Sequence, residues 1–238
     1  MVSSYRRAGA VGLAGLAALV ADTTRAGFLL ALLDGRAWTA GELARHAGVA
    51  ASTASKHLDR LVAGGLLTEE RQGRHRYVRL ADARVAQLVE DLAAQVAPSA
   101  AARPCTLREA GAGSALARGR TCYDHLAGRL GIAVTDALTG LGLLRQDTGF
   151  ALTDAGVRWF EDAGIPLVRT GRRPLARACL DWTERRPHLA GTAGAALCRH
   201  ALDKGWCVRI GSDRAVKVTK TGERALAEHL GIQPETLR

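Results

Sequence analysis

Two short stretches place thiols, imidazoles and carboxylates close together: CYDH, with Cys122, Asp124 and His125, and CLDWTERRPH, with Cys179, Asp181, Trp182 and His188. A thiolate, an imidazole and a carboxylate make a workable shell for Zn(II) or another soft-to-borderline ion. Two thiols can also bind arsenic-like species or oxidise. Cys122 and His125 are three apart, which predicts that they share one face of a helix; Cys179, Asp181 and His188 form a second set. The spacing lacks the double-pair regularity of a dependable zinc framework. These residues are therefore effector-sensing candidates, no metal ligand is assigned, and either histidine could equally be buried against a backbone carbonyl.

A second effector chemistry competes with the first. Trp159, Trp182 and Trp206 are most of the tryptophans, and Arg169, Arg172, Arg173, Arg177, Arg185 and Arg186 crowd one region. Aromatic walls beside an arginine fork suit a small organic anion. The same residues also serve as core filling and as a solvated or DNA-contacting surface. For catalysis there is no P-loop, dinucleotide fingerprint, nucleophile elbow or zinc-protease helix, so no catalytic residue is assigned and the chain reads as a non-enzyme.

The elements that must position these groups are written twice. HLAGRLGIAVTDALTGLGLL from His125 matches HLAGTAGAALCRHALDKGWC from His188, with Gly131 and Gly194 in equivalent places. Further on, FALTDAGVRWFEDAGI matches VKVTKTGERALAEHLGI. Helix, turn, helix, then a strand leading to a final helix is the pattern of a degenerate winged-helix unit. Tandem copies packed about a pseudo-two-fold axis would line an axial cavity twice with the same residue types. The alternative is a duplicated scaffold whose repeated residues only maintain packing.

Ahead of the repeats, residues 1–97 read as a separate module. Apolar residues recur at three and four spacing from Val11 to Leu33, predicting two helices divided near Asp22. TAGELARHAGV opens a third, with Thr39 and Glu42 as a capping box. In ASTASKHLDRLVAGGLL, Ala54, Leu58, Leu61 and Val62 form an apolar stripe, and Ser52, Thr53, Ser55, Lys56, His57 and Arg60 are the candidates for DNA contact. LLTEERQGRHRYVRLA then reads as a hairpin whose tip carries Arg71, Arg74, His75 and Arg76. Such a wing beside a recognition helix neutralises phosphates while the helix reads base edges in the major groove.

These motifs, in this order, resemble the ArsR-type winged helix-turn-helix repressors of bacteria. The resemblance rests on ADTTRAGFLLALLDG, TAGELARHAGVAASTASKHLDRLVAGGLL and RQGRHRYVRL. It implies a homodimer on double-stranded DNA, two recognition helices in successive major grooves, and DARVAQLVEDLAAQV paired with the first helices as the dimer interface. Ala50-Ala51 stands where the family often has Ser-Pro. Many members sense metals, but the helix TAGELARHAGV has no cysteine pair and DARVAQLVEDLAAQV has no histidine, so neither family-type metal site transfers to residues 1–97.

Composition is consistent with this organisation. Of the net charge of +10, residues 1–97 carry +3 (12 Lys/Arg against 9 Asp/Glu) and residues 98–238 carry +7 (21 against 14), which suits a polyanionic partner. Five widely spaced cysteines, Cys105 among them, point to reduced thiols in a cytoplasmic protein. The start resembles a secretory signal, but its apolar run continues as a helical pattern into the module. No stretch has the length of a membrane span. The expected architecture is mostly α with small β wings: an N-terminal winged helix-turn-helix over 1–97 for DNA binding and dimerisation, a linker over 98–118, and a tandem of winged-helix-like repeats over 119–238. The function expected is a DNA-binding regulator, a repressor, whose back half senses an effector, either a small molecule or a metal ion; the cofactor stays unassigned.

Overall fold

The structure, a computed structural model, describes residues 2–73, 75–96, 114–147, 149–168, 173–211 and 214–237. The chain divides into two compact units, Met1–Val89 and Glu90–Arg238, with the division inside a helix. The linker expected over 98–118 lies outside the described residues as far as 113, and residues 114–118 are helical.

The first unit is a winged helix. Helix α1 (Val2–Val20) is followed by α2 (Thr23–Ala31), and the Asp22 side chain caps α2 by accepting from the Arg25 amide at 3.0 Å. The buried Arg25 guanidinium donates to the Ala18 and Leu19 carbonyls, so it satisfies the orphan acceptors at the end of α1. After β1 (Trp38–Thr39) comes α3 (Ala40–His46), with the Thr39–Glu42 capping box formed in both directions. Helix α4 (Ala51–Ala63) starts at Ala50 without a side-chain cap. Strands β2 (Leu67–Gln72) and β3 (His75–Leu80) form the hairpin, and β1 joins β3 to give the antiparallel order β1-β3-β2. Phe28, Leu32, Leu43, Ala54, Leu58, Leu61 and Val78 are completely buried and fill the space between α2, α3, α4 and the sheet. Among the described residues no single helix is long and apolar enough to cross a membrane. The pair Gly9–Val20 and Thr23–Asp34 bends by 81° at its break.

Helix α5 (Ala83–Gln95) leads into the second unit, where one pattern occurs twice. The first copy is β4 (Arg120–Cys122) paired with β5 (His125–Ala127), α6 (Gly128–Gly140), β6 (Leu144–Arg145) paired with β7 (Ala151–Leu152), and α7 (Asp154–Asp162). The second is β8 (Arg177–Leu180) paired with β9 (Pro187–Ala190), α8 (Gly191–Asp203), β10 (Cys207–Arg209) paired with β11 (Val216–Val218), and α9 (Lys220–Leu230). Capping repeats as well: Thr153 and Thr219 accept from the amides of Gly156 and Gly222 and donate to the carbonyls of Gly142 and Gly205. Each copy thus has a wing-like hairpin between two helices. Its opening element is a β-hairpin, however, where the sequence predicts a helix and turn. The copies repeat one another without being helix-turn-helix units.

The two copies share a core in which Leu130, Leu138, Leu144, Phe160, Leu189, Leu197 and Leu226 are buried together. Helix α6 packs on β9 and α8 packs on β5, so each helix lies against the other copy's hairpin. Glycine makes this approach possible. A Cβ on Gly131 would stand 2.5 Å from the Leu126 carbonyl oxygen and 3.7 Å from the His188 Cβ; one on Gly194 would stand 2.4 Å from the Leu189 carbonyl and 3.2 Å from the His125 Cβ. Trp206 stacks on His229 and Trp159 donates to the His229 carbonyl, so both pack with the core, whereas Trp182 lies against Glu90 and Arg120.

Candidate functional site

The opening hairpin of each copy supplies one cysteine and one histidine. Cys122 and His125 are cross-strand partners on β4 and β5, and Cys179 and His188 are cross-strand partners on β8 and β9. The helical placement expected for the first pair is therefore replaced by a tight turn, in which Tyr123 takes φ 58° and reverses the chain between them. The turn of the second hairpin contains Arg185 at φ 57°. Cross-packing of α6 and α8 then brings the two hairpins face to face. One ligand atom from each of Cys122, His125, Cys179 and His188 lies within 4.8 Å of all the others, and all four residues are buried.

The sulfur separation fits a tetrahedral ion. The two sulfurs are 3.9 Å apart, beyond the 2.0 Å or so of a disulfide. They match the edge of about 3.8 Å of a tetrahedron with zinc–sulfur arms of 2.3 Å. His125 Nε2 and both ring nitrogens of His188 are buried without a well-formed hydrogen bond, and a metal ion would take up the one lone pair that each neutral ring carries. The two rings are 5.0 Å apart.

Carboxylates stand behind both histidines. Asp124 Oδ1 is 3.3 Å from His125 Nδ1, the arrangement that orients a ligating imidazole, and Asp181 Oδ2 lies 3.5 Å from His188 Nδ1 without a hydrogen bond between them. Arg173 forks onto Asp124 at 2.6 and 2.9 Å. Asp181 accepts from Arg120 Nη2, the Gly128 amide, the Thr183 amide and hydroxyl and the Glu184 amide, which ties the second turn to the first copy. Glu90, buried on α5, accepts from the Cys122 thiol at 3.1 Å, Trp182 Nε1 at 3.0 Å, Arg120 Nε at 3.1 Å and Arg214 Nη2 at 2.6 Å.

The electrostatics follow from these contacts. A hydrogen bond from Cys122 lowers the Cys179 pKa far below the thiol range against the pull of burial, with His125 and His188 adding to it. The same pairing, burial and Glu90 hold Cys122 protonated. Burial opposes charge on His125, but Asp124 and Cys179 outweigh it and raise its pKa. Burial also works against Asp124 and Asp181, yet His125 and Arg173 for the first, and Arg120 with the turn amides for the second, hold both well below the usual carboxylate range. Cys198 and Cys207 are different: burial pushes each up to about 12, and they behave as core residues.

Sequence spacing does not point to Glu90, Arg120, Thr183 or Arg214, because only long-range folding brings them to the centre. Of the arginines expected to make a fork, Arg173 makes one, on Asp124, and the others named there are dispersed. Arg186 pairs with Asp136, Arg185 bonds the Ala94 and Val96 carbonyls, and Arg169 and Arg172 lie outside the described residues.

In the first unit, Ser52, Thr53, Lys56 and Arg60 are exposed on α4 and Ser55 is half-buried. His57 turns inward, its Nδ1 3.3 Å from Arg25 and 3.5 Å from Asp22. On the wing, Arg71 and His75 are exposed, and Arg74 lies outside the described residues. Arg76 reaches back to Asp59 on α4 at 2.6 Å and to Glu69, so it fastens the wing to the helix.

Among known proteins, the helix-turn-helix domain family matches residues 20–70. A helix-turn-helix-type transcriptional regulator of Bacillus subtilis, YdfF, is 40% identical over 224 residues, covering 93% of this chain and 98% of its own. The chain belongs to the helix-turn-helix transcriptional regulators. This regulator is also 36% identical to the transcriptional regulator CmtR of Mycobacterium tuberculosis over 104 residues, 44% of its own length and 87% of that of CmtR. Among solved structures, the cadmium sensor CmtR of M. tuberculosis aligns with 39% of the chain and 96% of its own at 36% identity and a TM-score of 0.31. A homodimeric winged helix-turn-helix DNA-binding domain from Mycobacterium bovis aligns with 35% of the chain and 77% of its own at 30% identity and a TM-score of 0.33.

Proposed function

We propose that this regulator is a cytoplasmic, homodimeric repressor whose hold on DNA is set by a metal ion at Cys122, His125, Cys179 and His188. The observation that carries the reading is the convergence of those four buried ligand atoms within 4.8 Å, two from each copy of the repeat. When bound, the ion supplies a positive charge and a tetrahedral tie between two hairpins that no covalent bond joins. The chain's own residues do the rest. Asp124 orients the His125 imidazole, Arg120 and Glu90 hold the cysteine strand, and the small residues at Gly131 and Gly194 let the hairpins meet. Four protein ligands complete a tetrahedral shell and leave no open position for a substrate, which favours regulation over catalysis.

In the front unit, Ser52, Thr53, Lys56 and Arg60 suit base and phosphate contacts, and Arg71, with Arg74 and His75, suits the phosphates flanking the wing. Val11 and Leu13 on α1 and Leu92 on α5 are exposed apolar residues, which supports self-association through these helices. Metal control requires that the ion bind the DNA-competent and incompetent states unequally.

The test is duplex binding by metal-stripped protein, measured anaerobically by fluorescence anisotropy with and without Zn(II) on a duplex selected from random sequence. A change in affinity of about fivefold or more supports the reading. Equal affinity in both conditions refutes metal control, and a response to hydrogen peroxide alone would assign the cysteine pair to redox sensing.

A further inference from the structure

We infer that the centre is matched to a divalent ion and that Glu90 is the residue that sets this preference. The inference rests on the metal reading above and adds the class of ion. It comes from counting the charges immediately behind the four ligands. Three carboxylates touch them: Glu90 at the Cys122 sulfur, Asp124 at the His125 ring and Asp181 beside the His188 ring. Three guanidinium groups answer these: Arg120 pairs with Glu90 and Asp181, Arg214 with Glu90, and Arg173 with Asp124. Three negative charges against three positive leave this layer neutral.

When an ion displaces the Cys122 thiol proton to solvent, two thiolates and two neutral imidazoles carry −2, so a divalent ion makes the core neutral. A monovalent ion would leave −1 and a trivalent ion +1. Arg120, Glu90 and Asp181 are almost wholly shielded from water, where an uncompensated charge is expensive. A neutral surround therefore selects a neutral core. Tetrahedral coordination by two sulfurs and two nitrogens narrows the choice to Zn(II) and ions of similar softness such as Co(II) and Cd(II).

Glu90 is the member of this layer whose charge can be removed with least disturbance. Asp181 also holds three backbone amides, whereas Glu90 accepts from the side chains of Arg120, Cys122, Trp182 and Arg214, and glutamine keeps its shape and its acceptor oxygen. Glu90→Gln makes the layer +1 and should favour a core of −1, that of a monovalent ion.

The experiment measures Zn(II) and Cu(I) affinities of the full chain anaerobically, each against a chromogenic chelator, for wild type, Glu90→Gln and Asp124→Asn. The metal-free state is common to both ions and cancels from the ratio of their affinities. The Zn(II)-to-Cu(I) ratio is expected to fall about tenfold in Glu90→Gln. Asp124→Asn should move it the same way by less, because that pair is about one-third exposed; this variant decides the matter if Glu90→Gln does not fold. A ratio that stays constant or rises overturns the inference while leaving the metal centre intact. Wild-type protein that takes up neither ion overturns the metal reading and the inference together.

Discussion

Cys122 and Cys179, on hairpins from different copies of the repeat, hold their sulfurs 3.9 Å apart with a histidine beside each. The separation is set by backbone packing: α6 and α8 each press on the other copy's hairpin, and the hairpins carry their side chains toward a common point. Duplication thus provides symmetric half-sites, each incomplete alone.

If a metal joins the half-sites, it stabilises the fold by mass action. Zn(II) at about a thousand times its dissociation constant should add about 4 kcal/mol. Calorimetry should record this as a rise of roughly 10 °C in the transition of the second unit, reversed by a chelator. Cys179→Ser and His188→Ala should lack the rise, and a wild-type transition that ignores zinc would count against the site.

Close packing at the hairpins predicts a sharp steric effect. Gly194→Ala puts a methyl group 2.4 Å from the Leu189 carbonyl oxygen and 3.2 Å from the His125 Cβ. Overpacking of this kind should destabilise the protein by about 1–3 kcal/mol and lower its zinc affinity. Denaturant unfolding and zinc titration of the variant measure both, and wild-type values would show that α8 does not control the spacing.

Arg120 lies between Glu90 and Asp181 with its guanidinium fully buried, and it faces the Trp182 ring at 5.2 Å. Burial works against its charge, but the two carboxylates outweigh this and raise its pKa. Arg120→Met should destabilise the second unit by about 3–5 kcal/mol, since two buried carboxylates lose a partner. A loss below 1 kcal/mol in urea unfolding would mean that water reaches the pair.

The front unit was largely legible in the sequence because its signals are local. The Thr39–Glu42 capping box and the stripe Ala54, Leu58, Leu61 each depend on residues three or four apart, and both appear as expected. Cys122 and His125 show where such reasoning fails. A spacing of three suits one face of a helix and equally a hairpin with two residues at its turn, and the turn here carries Tyr123 and Asp124 in place of the usual asparagine–glycine signal. The repeated HLAG phrase was visible, but its meaning was not: the histidine, leucine and alanine lie on a strand and the glycine begins a helix. The approach of Glu90 and Arg214 to the centre depends on chain separations that no local pattern encodes.

On DNA, Lys56, Arg71 and Arg76 should behave differently. Lys56→Ala should cost about 1–3 kcal/mol on the preferred duplex and much less on random duplex. Arg71→Ala should weaken all sequences alike and reduce the salt slope by about one. Arg76→Ala should change the salt slope less than Arg71→Ala, because Arg76 is already paired with Asp59 and Glu69. Anisotropy titrations across a salt series separate the three, and identical slopes for the two arginine variants would contradict the pairing of Arg76.

The most direct measurement is an anaerobic Co(II) titration of the full chain followed by absorption spectroscopy. Saturation at one ion per chain, with tetrahedral ligand-field bands and a sulfur-to-cobalt charge-transfer band that Cys179→Ser weakens, is the expected result. A spectrum of octahedral cobalt, or the same bands in the Cys179→Ser protein, would contradict a centre built from Cys122, His125, Cys179 and His188.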